Sequence, residues 1–502
     1  MAENLQKKTF TGIIWSYVNQ FGNILVSLIP AMILTRILSP SEYGLIAMSA
    51  IFTNIAFQLA DGGFGDALVQ KKDADHLDYC SFFYFNLSTC SFIYLLLYLL
   101  APLCASFFND DRLISIIRVS GIGIILLALG QIHGLIFRKN LEFRKPAIRN
   151  IFVQIISVIV AITLALTGYG VWALVIQGLV QTALGSFVNW FISDWRPTWC
   201  FSFTRLKSLF NYGSKRLFTC MIDYGFNKAY DITIGKFYSP ANLAIYNRAY
   251  TTESLFSGTF FGVFNRVTFP VFVQMQDDNE RLRYNIRRFL IICSMLIFTI
   301  MLTLIVLAEP LFHFLYSSKW DETIPFFQVV CIAGLFAPIA SILGSVLLAK
   351  GKASKFLYLS IIQKVLTIVV ILITFQYGII YMIFGQVLLR LIEIMLLSHY
   401  INLIIRYNII QVIKDLTPYL LIALGIACII YGGDKMVSMI LNGINTNELF
   451  SGLIRLVISG LFTIILFFKI YKSTHTYGYQ ELISFLENVL GDKFKHIRFL
   501  VK

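Results

Sequence analysis

The chain has 502 residues, of which 57% are hydrophobic and only 14% are charged. These are too few polar residues to cover the surface of a soluble globular protein of this size, so a water-soluble enzyme or binding domain is excluded. The net charge of +14 fits either nucleic acid or an anionic membrane surface, and the placement of the charges decides between the two.

Apolar runs of about 20 residues recur along nearly the whole chain, and as helices they are long enough to cross a hydrocarbon core of about 30 Å. Because lipid cannot hydrogen-bond the backbone, the runs are predicted to be helical. We therefore expect an all-α integral membrane protein with about 14 transmembrane helices. The first run is too long for a signal-peptide core, so we interpret it as a retained span. The predicted spans begin near residues 11, 45, 80, 112, 150, 171, 211, 242, 287, 324, 356, 379, 415 and 449.

The basic residues are distributed unevenly between the two sides of these spans. With a cytoplasmic N-terminus, the inside segments hold 29 Lys and Arg and the outside loops hold six. This bias predicts that both termini are cytoplasmic. The positive charge is then mainly an orientation signal, and anionic membrane lipids rather than nucleic acid are its expected partner.

Three dipeptides recur in order along the chain, which suggests a duplicated unit of six spans. Ser39-Pro40, Val69-Gln70 and Tyr169-Gly170 recur at offsets of 200, 204 and 208 residues. The alternative is that loops favour Ser, Pro and Gly everywhere. Because six is even, the two copies share one orientation and are related by a pseudo-two-fold axis along the membrane normal. Two bundles facing one another across a cleft predict alternating access.

The repeat and the span count together predict the domain organisation. The expected parts are an N-terminal six-helix bundle (1–195), a cytoplasmic amphipathic linker (196–216), a C-terminal six-helix bundle (217–405), two additional transmembrane helices (406–472) and a cytoplasmic amphipathic tail (473–502).

Span seven carries more polar residues than lipid tolerates: Asp223, Asn227, Lys228 and Asp231. Lys228 and Asp231 are spaced i, i+3 and can pair on one helix face. We expect this helix to line the cleft and to contact substrate. The alternative is an ion-pair cluster that only joins helices.

Other charges inside predicted spans extend the list of candidate substrate contacts to Arg266, Lys364 and Arg390. Arg390 has Glu393 at i, i+3, so a self-contained pair is the alternative there. Arg455 lies near the outer end of its span and is expected to snorkel. Because the intramembrane charges lean cationic, they suit a diphosphate-linked or otherwise acidic substrate.

Candidate gating or coupling residues are Asp61 and Asp66, in the glycine-rich end of span two, and Arg248, near the outer end of span eight. The two carboxylates could bind a coupling H⁺ or Na⁺, and the alternative is a helix end already in water. Asp66 with Arg266 is a hypothetical gate. The eight cysteines and six histidines show no metal-ligand spacing, so neither a metal site nor a cofactor is predicted.

Short motifs along most of the chain resemble the polysaccharide transporters of the MOP exporter superfamily, in the Wzx-type branch of the colanic-acid exporter. The motifs are LSPSEYGL (38–45), DGGFGDALVQ (61–70), NLEFRK (140–145), GYGVWALVIQ (168–177), IGKFYSP (234–240), NRA (247–249), NRVTFP (265–270) and AKGK (349–352). The resemblance implies a MATE-like fold and a bacterial inner-membrane flippase of undecaprenyl-diphosphate-linked oligosaccharides, coupled to an ion gradient. It supplies no catalytic residues.

The resemblance leaves alternatives open. Related lipid II flippases carry arginines in the first span, whereas residues 9–34 here are uncharged. Multidrug exporters of the same superfamily are the second transport hypothesis. A membrane glycosyltransferase or polymerase is a different class, and the outside segments around 309–325 and 434–450 are too short to build its site. We expect a monomer that works beside a polysaccharide polymerase and chain-length machinery, and that is not itself an enzyme.

Overall fold

The computed structural model describes residues 28–61, 64–71, 73–443, 447–474, 478–481 and 483. The described helices are α1 (Leu28–Ile37), α2 (Pro40–Asp61), α3 (Phe64–Gln70), α4 (His76–Phe108), α5 (Arg112–Lys139), α6 (Arg144–Leu166), α7 (Val171–Ile192), α8 (Phe203–Asn227), α9 (Ala229–Phe237), α10 (Pro240–Gln274), α11 (Asn279–Val306), α12 (Ala308–Leu315), α13 (Thr323–Ala349), α14 (Ala353–Thr374), α15 (Ile379–Ile405), α16 (Ile409–Gly443) and α17 (Glu448–Ser473).

Eleven helices in the described part of the chain are long and apolar enough to cross a membrane, so the protein is a multi-pass membrane protein. They correspond to predicted spans two to six and nine to fourteen. Spans seven and eight correspond to α8 with α9 and to α10, which are also helical. Most of span one and of the predicted tail lies outside the described residues.

The recurring dipeptides occupy equivalent helix boundaries. Pro40 and Pro240 begin α2 and α10, and the two Val-Gln pairs end α3 and α10. Gly170 and Gly378 immediately precede α7 and α15 with φ of 54° and 115°, a backbone conformation that favours glycine. These matches support a duplicated unit, while the axis relating the two copies stays a prediction.

The chain forms two compact units that divide within α10: Met1–Ala244 and Ile245–Lys502. In the first unit, α5 packs against α2, α4 and α7, and α6 packs against α7. The predicted amphipathic linker, residues 196–216, includes the start of α8 at Phe203, and α8 packs against α2 and α3. This division into two units does not test the predicted domain boundaries, which stay a prediction.

Two helices form the centre of the second unit. Of the most apolar 18 residues of each helix, 61% are buried in α11 and 72% in α13, against 11% in α14 and in α17. α11 packs on α13 and α16, while α14 packs on α15 and α17 packs on α12 and α16. The outer helices therefore present their apolar surface to lipid.

The expectation that Arg455 snorkels to the surface is wrong. Its side chain is only 8% exposed, and its Nη2 atom lies 2.6 Å from a carboxylate oxygen of Asp434, whose side chain is 6% exposed. A second bond from Nε to the same carboxylate makes the pair bidentate, and Glu309 adds a longer contact of 3.3 Å. This ion pair joins α17 to α16 and α12.

Candidate functional site

The predicted polar cluster of span seven lies where one helix gives way to another. Lys228 lies between the end of α8 and the start of α9, and its ammonium group lies 2.5 Å from the carboxylate of Asp231. The predicted i, i+3 pairing is therefore confirmed. Asp231 is buried, Lys228 and Asp223 are partly buried, and Asn227 is exposed. Their predicted contact with substrate stays a prediction.

A second polar cluster lies in the second unit, and sequence reasoning found only part of it. Arg390 donates to Glu393 at 2.8 Å, which confirms that pairing, and Gln363 of α14 donates to the same carboxylate oxygen at 2.8 Å. Glu253 of α10, absent from the predicted set, is only 5% exposed. We call Glu253, Gln363, Arg390 and Glu393 the α10–α15 cluster.

Glu253 is held closely by its neighbours in this cluster. A Cβ atom on Gly334 of α13 would lie 2.3 Å from its Oε1 atom, so the glycine makes room for the carboxylate. That oxygen has no hydrogen-bond partner among the described residues, and Ser257 lies one turn further along the same helix. A buried ionisable group of this kind inside a membrane helix usually serves a function.

The remaining predicted residues are spread over both units. Arg248 lies over the rings of Tyr316 and Trp320, at 4.9 and 5.0 Å from their centroids, and Lys364 lies partly buried in α14. The side chains of Asp61, Asp66 and Arg266 fall outside the described part of the structure, so the coupling and gate roles proposed for them stay predictions.

A cavity lies between α5, α6 and α7, within the first unit. Its volume is about 800 Å³, within the range of small-molecule sites. We call it the α5–α7 cavity. Its polar lining residues are Gln131, Arg138, Arg149, Asn150, Gln154, Gln181, Thr182, Ser186 and Asn189.

Side-chain hydrogen bonds to backbone hold the α5 and α7 walls together. Ser186 donates to the carbonyl of Leu126 at 2.5 Å, and Asn189 donates to that of Gly130 at 3.0 Å. A Cβ atom on Gly130 would lie 2.7 Å from the Cα of Ser186, so the helices touch there. In contrast, Gly134 and Gly185 have nothing within 4 Å of an added Cβ, and they leave the cavity open.

Arg149 supplies a positive charge to this cavity. Its guanidinium donates to the amide oxygens of Asn189, at 2.7 Å, and Asn150, at 2.5 Å. Within the described part of the chain, no carboxylate forms an ion pair with it. Because α6 begins at Arg144, the side chain lies inside the span rather than in a loop. A partly buried guanidinium held by neutral amides is suited to binding an anion.

Sequence reasoning missed this cavity because it considered only charged residues inside predicted spans. Span five was predicted to begin near residue 150, which assigned Arg149 and Arg138 to a loop. The available signal was helical spacing of amides and small residues. Gln131, Gly134 and Arg138 follow at i, i+3, i+7, and Gln181, Gly185 and Asn189 at i, i+4, i+8, so each set shares one face.

Sequence comparisons agree with one another. A family model described as polysaccharide biosynthesis protein matches residues 33–325. The chain is 24% identical over 355 residues to the lipopolysaccharide biosynthesis protein WzxC of Escherichia coli (strain K12), covering 70% of this chain and 71% of that protein. It is 24% identical over 358 residues to the teichuronic acid biosynthesis protein TuaB of Bacillus subtilis (strain 168), covering 71% and 74%. The succinoglycan biosynthesis transport protein ExoT of Rhizobium meliloti (strain 1021) is 23% identical, covering 73% and 74%.

Two solved structures share the fold. A lipid II flippase MurJ in an inward closed conformation matches with a TM-score of 0.69 and 18% identity, over 92% of this chain and all of that one. An inward-facing multidrug resistance MATE family transporter of the MOP superfamily matches with a TM-score of 0.57 and 15% identity, over 79% and 99%. The predicted MATE-like, all-helical fold class is therefore confirmed, and at these identities the likeness shows the fold alone.

Proposed function

Because the chain belongs to the family of polysaccharide biosynthesis proteins, we propose that it is a flippase for undecaprenyl-diphosphate-linked oligosaccharide repeat units. It moves them from the cytoplasmic to the periplasmic leaflet of a bacterial inner membrane by alternating access, driven by an H⁺ or Na⁺ gradient. The glycan belongs to an O-antigen, a capsule or an exopolysaccharide. Both termini are cytoplasmic, and the protein works as a monomer beside the polymerase and chain-length machinery, without enzymatic activity of its own.

The observation that carries this proposal is the lining of the α5–α7 cavity. Arg138 and Arg149 are its charged residues, and the amides around them offer both donors and acceptors to sugar hydroxyls. Guanidinium groups replace the water that phosphate or uronate oxygens lose when they enter the membrane. A lining with two basic residues and no acidic one disfavours cationic drugs, the substrates of the alternative multidrug class.

Reconstitution tests the proposal directly. The protein is placed in liposomes with a fluorescent polyprenyl-diphosphate oligosaccharide, and leaflet exchange is measured with and without an imposed pH or sodium gradient. We expect protein-dependent exchange that a gradient accelerates. Absence of exchange with every lipid-linked glycan, alongside strong efflux of cationic drugs, contradicts the proposal. Exchange of lipid II alone favours the lipid II alternative.

Replacing Lys228 by Ala is expected to lower exchange by about tenfold or more, since charge-assisted bonds contribute about 1.5 to 3 kcal/mol. The substitution also leaves the buried carboxylate of Asp231 without its partner, so protein abundance is measured in parallel. The double variant Lys228→Met with Asp231→Leu removes both charges. If it regains transport, the pair is structural and Lys228 does not contact substrate.

The α10–α15 cluster is the candidate for ion coupling. Glu253 faces Ser257 on its own helix, Cys331 and Gly334 on α13, and the charge of Arg390 on α15. A carboxyl group placed there can gain a proton on one side of the membrane and lose it on the other. Glu253→Gln, which imitates the protonated form, is expected to abolish stimulation by a pH gradient while exchange without a gradient continues.

The matched control for this variant is Glu280→Gln, an exposed carboxylate in the first turn of α11. It should respond to the gradient like the unmodified protein. An unchanged gradient response in Glu253→Gln, at normal abundance, rules this residue out as the coupling group.

A further inference from the structure

Three metal-ligating side chains meet at one end of the first unit, although the sequence spacing predicts none. His76 and Cys80 are one turn apart at the start of α4, and Cys200 lies between α7 and α8. The His76 Nε2 atom lies 3.3 Å from the Cys80 Sγ atom. All three ligand atoms, including the Cys200 Sγ atom, lie within 4.8 Å of one another. These side chains therefore converge on one point although 120 residues separate Cys80 from Cys200.

The separations suit a tetrahedral zinc site. With Zn–S distances of about 2.3 Å and Zn–N distances of about 2.0 Å, neighbouring ligand atoms lie about 3.5 to 3.8 Å apart. The distance of 3.3 Å between His76 Nε2 and Cys80 Sγ is close to these values, and no two of the three atoms are more than 4.8 Å apart, so small side-chain rotations can bring them to their places. The Thr198 hydroxyl lies 2.9 Å from His76 Nε2 and 3.2 Å from Cys200 Sγ, so it can supply the fourth ligand, as can a water molecule.

Metal binding would replace the hydrogen bonds that the three ligand atoms make with Thr198; the Cys80 Sγ atom accepts from the Thr198 N–H at 3.4 Å and lies 3.7 Å from its hydroxyl. Asp75 and Asp78 lie in the same turn at the start of α4. Both are already engaged, Asp78 with Lys71 at 2.6 Å and Asp75 with Arg205 at 3.3 Å, and they do not compete for the metal position. Cys80 is buried, Cys200 is partly buried and His76 is exposed, which leaves an entry path for the ion.

We propose that His76, Cys80 and Cys200 bind one Zn²⁺ ion, which fastens the segment between α7 and α8 to the first turn of α4. The proposed orientation of the flippase puts this end in the cytoplasm, where thiols stay reduced and thus able to ligate. That segment leads from the first six spans into α8, so the ion fixes where α8 begins. The site needs no substrate, and its test is independent of the transport activity.

Cobalt substitution tests the site in the full-length protein. The chain is purified in detergent under reducing conditions, stripped with a chelator and titrated with Co²⁺, whose thiolate charge-transfer absorption reports sulfur ligation. We expect one Co²⁺ per chain, displaced by one equivalent of Zn²⁺. Cys200→Ser, in a segment outside the helices, and His76→Ala should each weaken binding by at least about tenfold, because even the loss of a side chain that only supports a ligand costs about 10- to 100-fold in metal affinity.

Cys428→Ser is the matched control, because Cys428 is an exposed cysteine of α16 in the second unit. It should bind Co²⁺ like the unmodified chain. Three results overturn the proposal: no thiolate absorption at stoichiometric Co²⁺, equal binding by Cys200→Ser, or a Cys80–Cys200 disulfide in protein purified without added oxidant.

Discussion

Replacing Arg149 by Met is expected to reduce exchange of the lipid-linked oligosaccharide by about 10- to 100-fold, as about 1.5 to 3 kcal/mol of charge-assisted hydrogen bonding is lost. The cavity wall should survive, because Asn189 keeps its bond to the Gly130 carbonyl when the guanidinium is removed. Abundance in the membrane is therefore expected to stay near normal. The measurement is leaflet exchange in liposomes, normalised to reconstituted protein.

Two further variants distinguish the effect of the Arg149 charge from the effect of the free volume in the cavity. Lys145→Ala removes a cation at the start of the same helix whose ammonium already pairs with Glu142 at 3.0 Å, and it should leave exchange unchanged. Gly134→Leu adds a side chain where nothing lies within 4 Å, and it should block the cavity without removing a charge. Full activity of both Arg149→Met and Gly134→Leu shows that the substrate does not use this cavity.

The architecture was predictable because its signals are local or repeated. Runs of apolar residues give the spans, and spacing of i, i+3 gives the pairs Lys228–Asp231 and Arg390–Glu393, which the structure confirms. Pro40 and Pro240 each begin a helix, because proline cannot continue a preceding helix but is tolerated in the first turn of the next one. These features depend on neighbours in sequence, so they needed no tertiary information.

The candidate sites were less predictable because they depend on contacts between distant helices. Whether Arg149 lies in a loop or a span depends on a helix start a few residues away, and boundaries are the least certain part of a sequence prediction. Glu253 was not counted among the intramembrane charges. The excess of positive over negative side chains inside the spans is therefore smaller than the sequence prediction had it. The partners of Cys200 are distant in sequence, and the spacing of the cysteines gives no sign of them.

The buried ion pair between α16 and α17 gives the largest expected effect on stability. Asp434→Asn keeps the shape of the side chain but leaves the guanidinium of Arg455 without its bidentate partner. Breaking a buried pair from one side costs about 3 to 5 kcal/mol, because the remaining charge is buried without compensation. We therefore expect a marked fall in the midpoint temperature of unfolding, followed by fluorescence-detected size-exclusion chromatography after heating in detergent.

The second acid bonded to Arg455 provides the contrast that identifies burial as the cause. Glu309 contacts the same guanidinium at 3.3 Å but is 57% exposed, so Glu309→Gln should change stability by about 1 kcal/mol or less. Removing both buried charges, with Asp434→Leu and Arg455→Met, should recover most of the stability lost in Asp434→Asn, because neither variant residue carries a charge into the apolar interior. If Glu309→Gln destabilises the protein as much as Asp434→Asn, the three side chains act as one network and burial of the pair is not the deciding term.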